Sequence, residues 1–545
     1  MAPRWQVEAK RWHAEAEHLA GEVARLEAEN VGLRSENAEL RARVAELEAQ
    51  VVALSEKVAT LAKLVFGTSS EQKKPAQPVA RLDADVGGAV GEQRRSRGQQ
   101  PGSVGHGRRD YSGLETREEI HDVPEGERVC PQCGAPYDAF NEETSQQIDW
   151  QVRLTRILQR RPTYRRTCRC PGRAILAAPV PAKPIPKGLF TSQFLARLVV
   201  EKYVLGRPLE RVVTALRSDG LEVAKGTLVG SLEATSALLA PLDAGIRARN
   251  AEAGHLHVDE TSWNVYELMA DKVNHRWWLW TFVGPDTSVF LIDPHRSTQV
   301  VTRHLGIDLE AGSLGEGRHL LLSSDFFTVY QSLAGVDGLD PLWCWAHIRR
   351  YFIRAGDAHQ ELKGWTEAWL ERIRVLYVAH RALQASPGSP EHIRAEVGFA
   401  DALGAMDTAR KTEAADPGLH PAATKVLATL GREWEGLARH QSFPELPLDN
   451  NSAERTLRNP VVVRKNCYGS GAAWAATLAA RVWTITATAA RAQCNPLAYL
   501  GSYLDACAEA GGRPPSGPAL ARFFPWAASE ADLSAWQLVS PGPAP

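Results

Sequence analysis

The sequence predicts a multidomain α+β protein: an N-terminal coiled coil, a small cysteine-rich module, a helical region, and a strand-rich domain interrupted by a long helical stretch. Three observations predict it. Leucines recur at every seventh position from 19 to 61, cysteines pair at 130/133 and 168/170, and beyond residue 255 short runs rich in Val, Leu, Phe and Trp replace helical periodicity. At 545 residues the chain exceeds one ordinary domain, and 44% apolar with 23% charged residues is a globular composition. The formal net charge of −1 excludes a protein that coats nucleic acid by overall charge, so any such contact must come from local basic patches.

Residues 1–66 form the coiled coil. Leu19, Leu26, Leu33, Leu40, Leu47, Leu54 and Leu61 occupy d, and Val23, Asn30, Asn37, Val44, Val51, Val58 and Val65 occupy a. Leu at d with β-branched residues at a favours two parallel strands, and buried Asn at a fixes register. In a parallel homodimer Glu29, Glu36 and Arg43 at g face the partner's Arg34, Arg41 and Glu48 at e, and every pair is attractive. The competing reading is a long helix packed on its own chain. Residues 67–109 follow as a flexible linker, rich in Gly, Ser, Gln, Pro and basic residues without apolar period.

Residues 110–175 form the cysteine-rich module. Cys130-x-x-Cys133 reads as a zinc knuckle, and Cys168-x-Cys170 can complete a tetrahedral four-thiolate Zn²⁺ site; the alternative is four reduced, buried thiols. Residues 153–173 hold eight arginines and no acidic residue, Arg165 and Arg166 among them, which reads equally as a phosphate-facing surface or a solvated basic face. In the helical region 176–250, Leu209, Val212, Val213 and Leu216 share one face, Asp219-Gly220 makes a turn, and a second helix starts near Lys225. That layout resembles a DNA-binding helix-turn-helix.

The strand-rich domain covers 251–354 and 441–508, with a helical insertion at 355–440 and a Pro/Gly-rich C-terminal tail at 509–545. Asp259 follows one strand-like run, Asp325 ends another, and Glu454 sits at a helix start that Asn450, Asn451 or Ser452 can cap. Two strand-end aspartates and a helical glutamate can meet at one edge of a mixed sheet. Within metal-bridging distance they would bind two Mg²⁺ (or Mn²⁺) ions about 4 Å apart. Among 64 acidic residues, spacing alone does not single out this triad and reads first as two strand-end caps and a helix-surface charge. No signal peptide is evident and no apolar run reaches the ~20 residues of a membrane span, so a cytoplasmic protein is expected.

The segments "HVDET", "SSDFFTVYQ", "CWAHIRRYF" and "LDNNSAERTLRNPVVVRKN", in this order, resemble the transposase of the insertion sequence 66 family. "LAKLVFGTSSEQ", "GHGRRDYSGL", "VCPQCG" and "NPLAYL" extend the resemblance over residues 40–505. It implies a ribonuclease-H-like catalytic domain with an Asp-Asp-Glu triad at Asp259, Asp325 and Glu454, acting on the ends of a mobile element and on target DNA. Arg455, Arg458, Arg464 and Lys465 would then hold DNA phosphates near the metals. Small accessory proteins of the same element are a further implied partner. A non-catalytic DNA-binding regulator is the competing reading. Cys344-x-x-His347 reads as a hydrogen-bonded structural pair rather than half a metal site, and His257 shares the sheet face of Asp259.

Overall fold

The computed structural model describes residues 175–268, 274–384 and 389–537 continuously, with parts of 11–43 and 118–167. It divides into two units, Met1–Gly105 and His106–Pro545. In the first, the described residues of 11–43 are helical and exposed. Arg25 pairs with Glu29 one turn on, at 3.4 Å, and Leu19, Val23 and Leu26 are each about half exposed. That is an apolar stripe at the predicted a and d spacing; most of the heptads lie outside the described residues.

The second unit opens with a two-stranded antiparallel ladder, β1 (Thr163–Arg165) and β2 (Ile175–Ala177), all exposed. Helix α1 (Ser192–Val199) runs into a π-turn at Val200–Val204, followed by α2 (Leu209–Ser218) and α3 (Lys225–Ala251). The two helices start where the periodicity predicts. The first turn of α3 is exposed at Lys225, Gly226 and Thr227, and beyond it one face is buried through Leu228, Leu232, Leu239, Leu242 and Ile246.

The sheet contains β3 (His255–Asn264), β4 (Arg276–Val283), β5 (Ser288–Asp293), β6 (Leu320–Ser324) and β7 (Leu339–Trp343) in the order β5-β4-β3-β6-β7. β3, β4 and β5 pair antiparallel, whereas β6 and β7 run parallel to β3. The connections explain the difference. A short hairpin joins β4 to β5, while α4 (Thr298–Leu305) and the short α5 (Thr328–Gln331) cross over before β6 and β7. β6 is buried at every position, as expected for a strand covered on both faces.

Helix α12 (Ala473–Arg491) closes the β5 edge. Thr488 and Thr484 accept from the amides of Ser288 and Phe290 at 3.1 and 2.9 Å, so this edge cannot pair with another chain. Between β7 and the glutamate-bearing helix lie α6 (Trp345–Ala358), α7 (Lys363–Leu383), α8 (Pro390–Ala414), α9 (Pro421–Arg432) and α10 (Trp434–Ala438). Their core is aromatic: Phe352 stacks on Trp369 at 4.9 Å, and the indoles of Trp365 and Trp369 both donate to Glu413 at 2.7 Å. The first of these helices starts at Trp345, directly after β7.

Helix α11 (Asn451–Cys467) returns to the sheet, and α13 (Pro496–Glu509) packs on α1. The described residues of the predicted tail, 509–537, are not plain coil. They carry α14 (Pro518–Ala521) and α15 (Glu530–Trp536), because Phe523 and Trp536 stack and are almost fully buried against Tyr499. Pro and Gly in this stretch break helices without preventing burial of the aromatic side chains between them. No helix among the described residues is long and apolar enough to cross a membrane.

Candidate active site

β3 and β6 pair in parallel with His255 opposite Leu321 and His257 opposite Ser323. Continued by two residues, this register sets Asp259 level with Asp325, just past the end of β6, on strands roughly 4.8 Å apart. The two residues are thus near neighbours at this edge, and the charge of Asp325 reaches Asp259. Asp325 accepts from the Phe327 amide at 3.0 Å, which turns the chain away from the sheet, and Asp259 accepts from the Glu260 amide at 2.9 Å.

Burial, then the charges of Glu260, Asp325 and Glu454, push the Asp259 carboxyl up to about 8, against a smaller opposing effect of its amide hydrogen bond. None of the ion pairs of the described residues involves Asp259 or Asp325. Glu260 is the opposite case. Period-two alternation sends it to the other face of β3, where Arg296 binds it at 3.0 Å and the Tyr330 hydroxyl donates to it. Arg296 in turn lies over the rings of Trp278 and Phe327, at 4.5 and 3.7 Å.

Glu454 reaches this edge because Asn450 ties the start of α11 to β3. The Asn450 amide side chain meets His257 Nδ1 at 3.0 Å and donates to the Val258 carbonyl at 2.7 Å, while its backbone N–H donates to Cys344 Sγ at 3.2 Å. Asn450 occupies the N-cap position without a side-chain cap bond, so the capping role expected for it is replaced by a cross-link among β3, Cys344 and α11. His257 and Cys344 are both buried partners in that link. Burial holds His257 down to about 4 and pushes the Cys344 thiol up to about 11.

Glu454 itself is held by Arg350, with Nη2 at 3.2 and 3.3 Å from its two oxygens, and His347 Nε2 lies 3.9 Å away. Asp259, Asp325 and Glu454 do not form a set with one oxygen of each within 4.8 Å of the others, although the charges of Asp325 and Glu454 both reach Asp259. Among the described residues, the ligand-type atoms that all lie within 4.8 Å of one another belong to His359, Glu361 and His420 instead. Arg350 was not singled out from sequence; it lies four residues before Arg354 and one turn after His347, a spacing that many helix-surface arginines share.

The His359, Glu361 and His420 set is a poor metal centre. His420 Nδ1 accepts from the Ala422 amide at 3.1 Å, so its Nε2, 3.4 Å from Glu361, carries the proton. A ligating histidine needs the reverse arrangement, with its outer nitrogen donating.

Arg455, Arg458 and Lys465 are exposed on α11. Arg464 is half-buried, and its Nη1 donates to Thr261 and Ser262, fastening α11 to β3. Arg165 is exposed on β1, and Arg166, Cys168 and Cys170 lie outside the described residues. Cys130 and Cys133 sit in a tight turn closed by Gly134 N–H to the Cys130 carbonyl at 2.8 Å, with Gly134 at φ 73°. Backbone amides of Gln132 and Cys133 hold the Cys130 thiol below its ordinary value.

Asp259 within β3, Asp325 just past the end of β6 and Glu454 in the first turn of α11 thus belong to one region of the sheet and its neighbouring helix. Residues 187–478 match the family model described as "Transposase IS66 family", more than half of the chain, and the protein belongs to that family. It is also similar to three proteins of Sinorhizobium fredii (strain NBRC 101917 / NGR234). Uncharacterized protein y4qI is 25% identical over 413 residues, covering 72% of this chain and 73% of the relative. Uncharacterized protein y4hP is 24% identical, covering 70% and 71%, and uncharacterized protein y4jD is 24% identical, covering 69% and 74%. The chain is a transposase by family, and DNA is its implied partner.

Proposed function

We propose that the protein cleaves the ends of a mobile element and joins the freed 3′-hydroxyl to target DNA, using Asp259, Asp325 and Glu454. The observation that carries this reading is the pairing of Asp259 and Asp325 across parallel strands with no cationic partner among the described residues. Buried, mutually repelling carboxylate oxygens fit hard divalent cations such as Mg²⁺ or Mn²⁺. Two such ions would supply an activated nucleophile and a stabilised leaving oxygen for in-line displacement at phosphorus. Asp259 and Asp325 would hold them from the sheet, and Glu454 would join once released by Arg350. Arg455, Arg458 and Lys465 would hold phosphates of the bound strand. The order β5-β4-β3-β6-β7 supports a ribonuclease-H-like domain with 345–440 as its helical insertion.

The remaining parts serve to bring two DNA ends together. The heptads would pair two chains, the exposed first turn of α3 would enter a groove, and Cys130 and Cys133 with Cys168 and Cys170 would hold a structural Zn²⁺. Such a protein would work in the cytoplasm on nucleoid DNA, with accessory proteins of the same element. The test is strand cleavage and joining on element-end DNA with Mg²⁺, comparing wild type with Asp325→Ala. Both steps should be lost together; equal activity in the two proteins overturns the mechanism.

A further inference from the structure

Helix α11 carries an exposed stripe that begins one residue after Glu454: Arg455, Arg458, Val462 and Lys465, at helical spacing of three and four. The three cations have no acidic partner among the described residues, although charged side chains elsewhere in this unit are extensively paired. The stripe ends at Tyr468, the C-cap residue. Tyr468 has φ 63°, a left-handed conformation that glycine adopts freely and tyrosine only at a cost. Its ring recovers nothing from packing: the residue is 71% exposed and stacks on no ring among the described residues.

Its backbone, by contrast, is firmly held. The Tyr468 N–H donates to Arg464 O at 2.7 Å, the Tyr266 hydroxyl donates to Tyr468 O at 3.3 Å, and Tyr266 N–H donates to Ser470 O at 2.9 Å. A Cβ at Gly469 would lie 2.2 Å from Asn264 O, so the turn after Tyr468 can close on the end of β3 only with glycine there. The fold thus spends rigid contacts on presenting an unused aromatic face at the end of a cationic track.

We propose that Tyr468 is a nucleobase-stacking site for an unpaired base of the bound DNA. This rests on reading the carboxylate edge as the DNA-cutting centre. From Glu454 to Tyr468 the helix rises about 21 Å, or about six base steps, so the stacked base lies that far along the strand from the cleaved phosphate. Bases inside a duplex hide their faces against their neighbours. A lone ring at a helix end therefore selects a base that has left the stack. Arg455, Arg458 and Lys465 lead the backbone to it, and Val462 places apolar surface between the cations.

The test uses the full chain without added Mg²⁺. One probe is a duplex of about 30 base pairs; the other is the same duplex with a short central mismatch containing 2-aminopurine. Wild type should prefer the mismatched DNA by about tenfold and quench the probe. Tyr468→Gly suits the left-handed backbone, so the variant should fold at least as well; it should lose both preference and quenching while keeping its duplex affinity. Tyr468→Phe should retain both. Preference and quenching that survive in Tyr468→Gly overturn the stacking site. Arg458→Ala with Lys465→Ala should weaken both probes equally and lower the salt slope by about two. If that variant binds like wild type, the stripe is not a DNA path and the proposal falls. If it weakens while Tyr468→Gly stays selective, only the stacking site falls and the DNA-cutting reading stands.

Discussion

The two faces of β3 carry neighbouring carboxylates with opposite fates. On one face Glu260 is buried and fully engaged by Arg296 and Tyr330. On the other, Asp259 is equally removed from water, yet its neighbours are further acids, Asp325 and Glu454. Folding neutralises the first charge with its own side chains and leaves the second to be neutralised from outside. A buried charge without a partner is expensive, and such sites persist where a bound ion or substrate supplies the missing charge. The contrast separates an acid that holds the sheet together from one that is held in readiness.

The largest expected effect comes from swapping the charges on the two faces. Asp259→Asn and Asp325→Asn should each abolish strand cleavage by about a thousandfold or more, because the oxygen ligands for two cations are lost. Without metal, Asp259→Asn should melt higher than wild type above about pH 8, where the wild-type carboxyl must ionise in its buried place. Glu260→Gln should do the reverse to stability. It leaves Arg296 without its carboxylate beside two aromatic rings and should cost about 2 kcal/mol in urea unfolding. If Glu260→Gln were the stabilising change and Asp259→Asn the destabilising one, the assignment of the two faces would be inverted.

A smaller effect is the pH dependence. The folded pKa of Asp259 is raised to about 8 from an ordinary 3.8, so the folded state holds this proton more tightly than the unfolded chain. The stability from this group is complete below about pH 4 and is lost as pH rises through about 8. Mg²⁺ must displace the proton, so its affinity should climb towards pH 8, and binding near pH 7 should release about one proton. Calorimetry in buffers of different ionisation enthalpy measures that proton directly. Asp259→Asn should show no release, and a wild type without release would remove the unneutralised carboxylate from the comparison.

How far this was readable from sequence follows from the range of each signal. Strand runs around Asp259 and Asp325 announce themselves through local alternation, and the helix at Glu454 through its polar start. Asp325 and Glu454 lie where those patterns place them, whereas Asp259 sits in the middle of β3, which runs on to Asn264, and not at its end. The Asn450 link to His257, Val258 and Cys344 was misread as a cap, because a cap is a local event whereas this bond joins residues 193 positions apart. Arg464 shows the same limit of range: charge is visible in sequence, but its engagement by Thr261 and Ser262 is not. The burial of Phe523 and Trp536 escaped a compositional reading that counted Pro and Gly and overlooked the aromatic residues between them.

The smallest expected effect tests what keeps the third carboxylate apart. Arg350 contacts both oxygens of Glu454 through Nη2, and its Nη1 donates to His347 Nε2 at 3.2 Å. A histidine that accepts at Nε2 is neutral, and the buried Nδ1 of His347 has no hydrogen-bond partner in this arrangement. Glu454 and Arg350 are each partly exposed, so their pair is worth at most about 1 kcal/mol. A metal ion needs only to outbid that modest contact. Arg350→Ala should therefore raise Mg²⁺ affinity by about two- to fivefold in the absence of DNA. Arg350→Lys should fall between the two, because an ammonium group attracts Glu454 without the two-oxygen fork. Unchanged or weaker Mg²⁺ binding in Arg350→Ala would mean that Glu454 is not the missing ligand, and the open face of β3 would then hold its cations with the two aspartates alone.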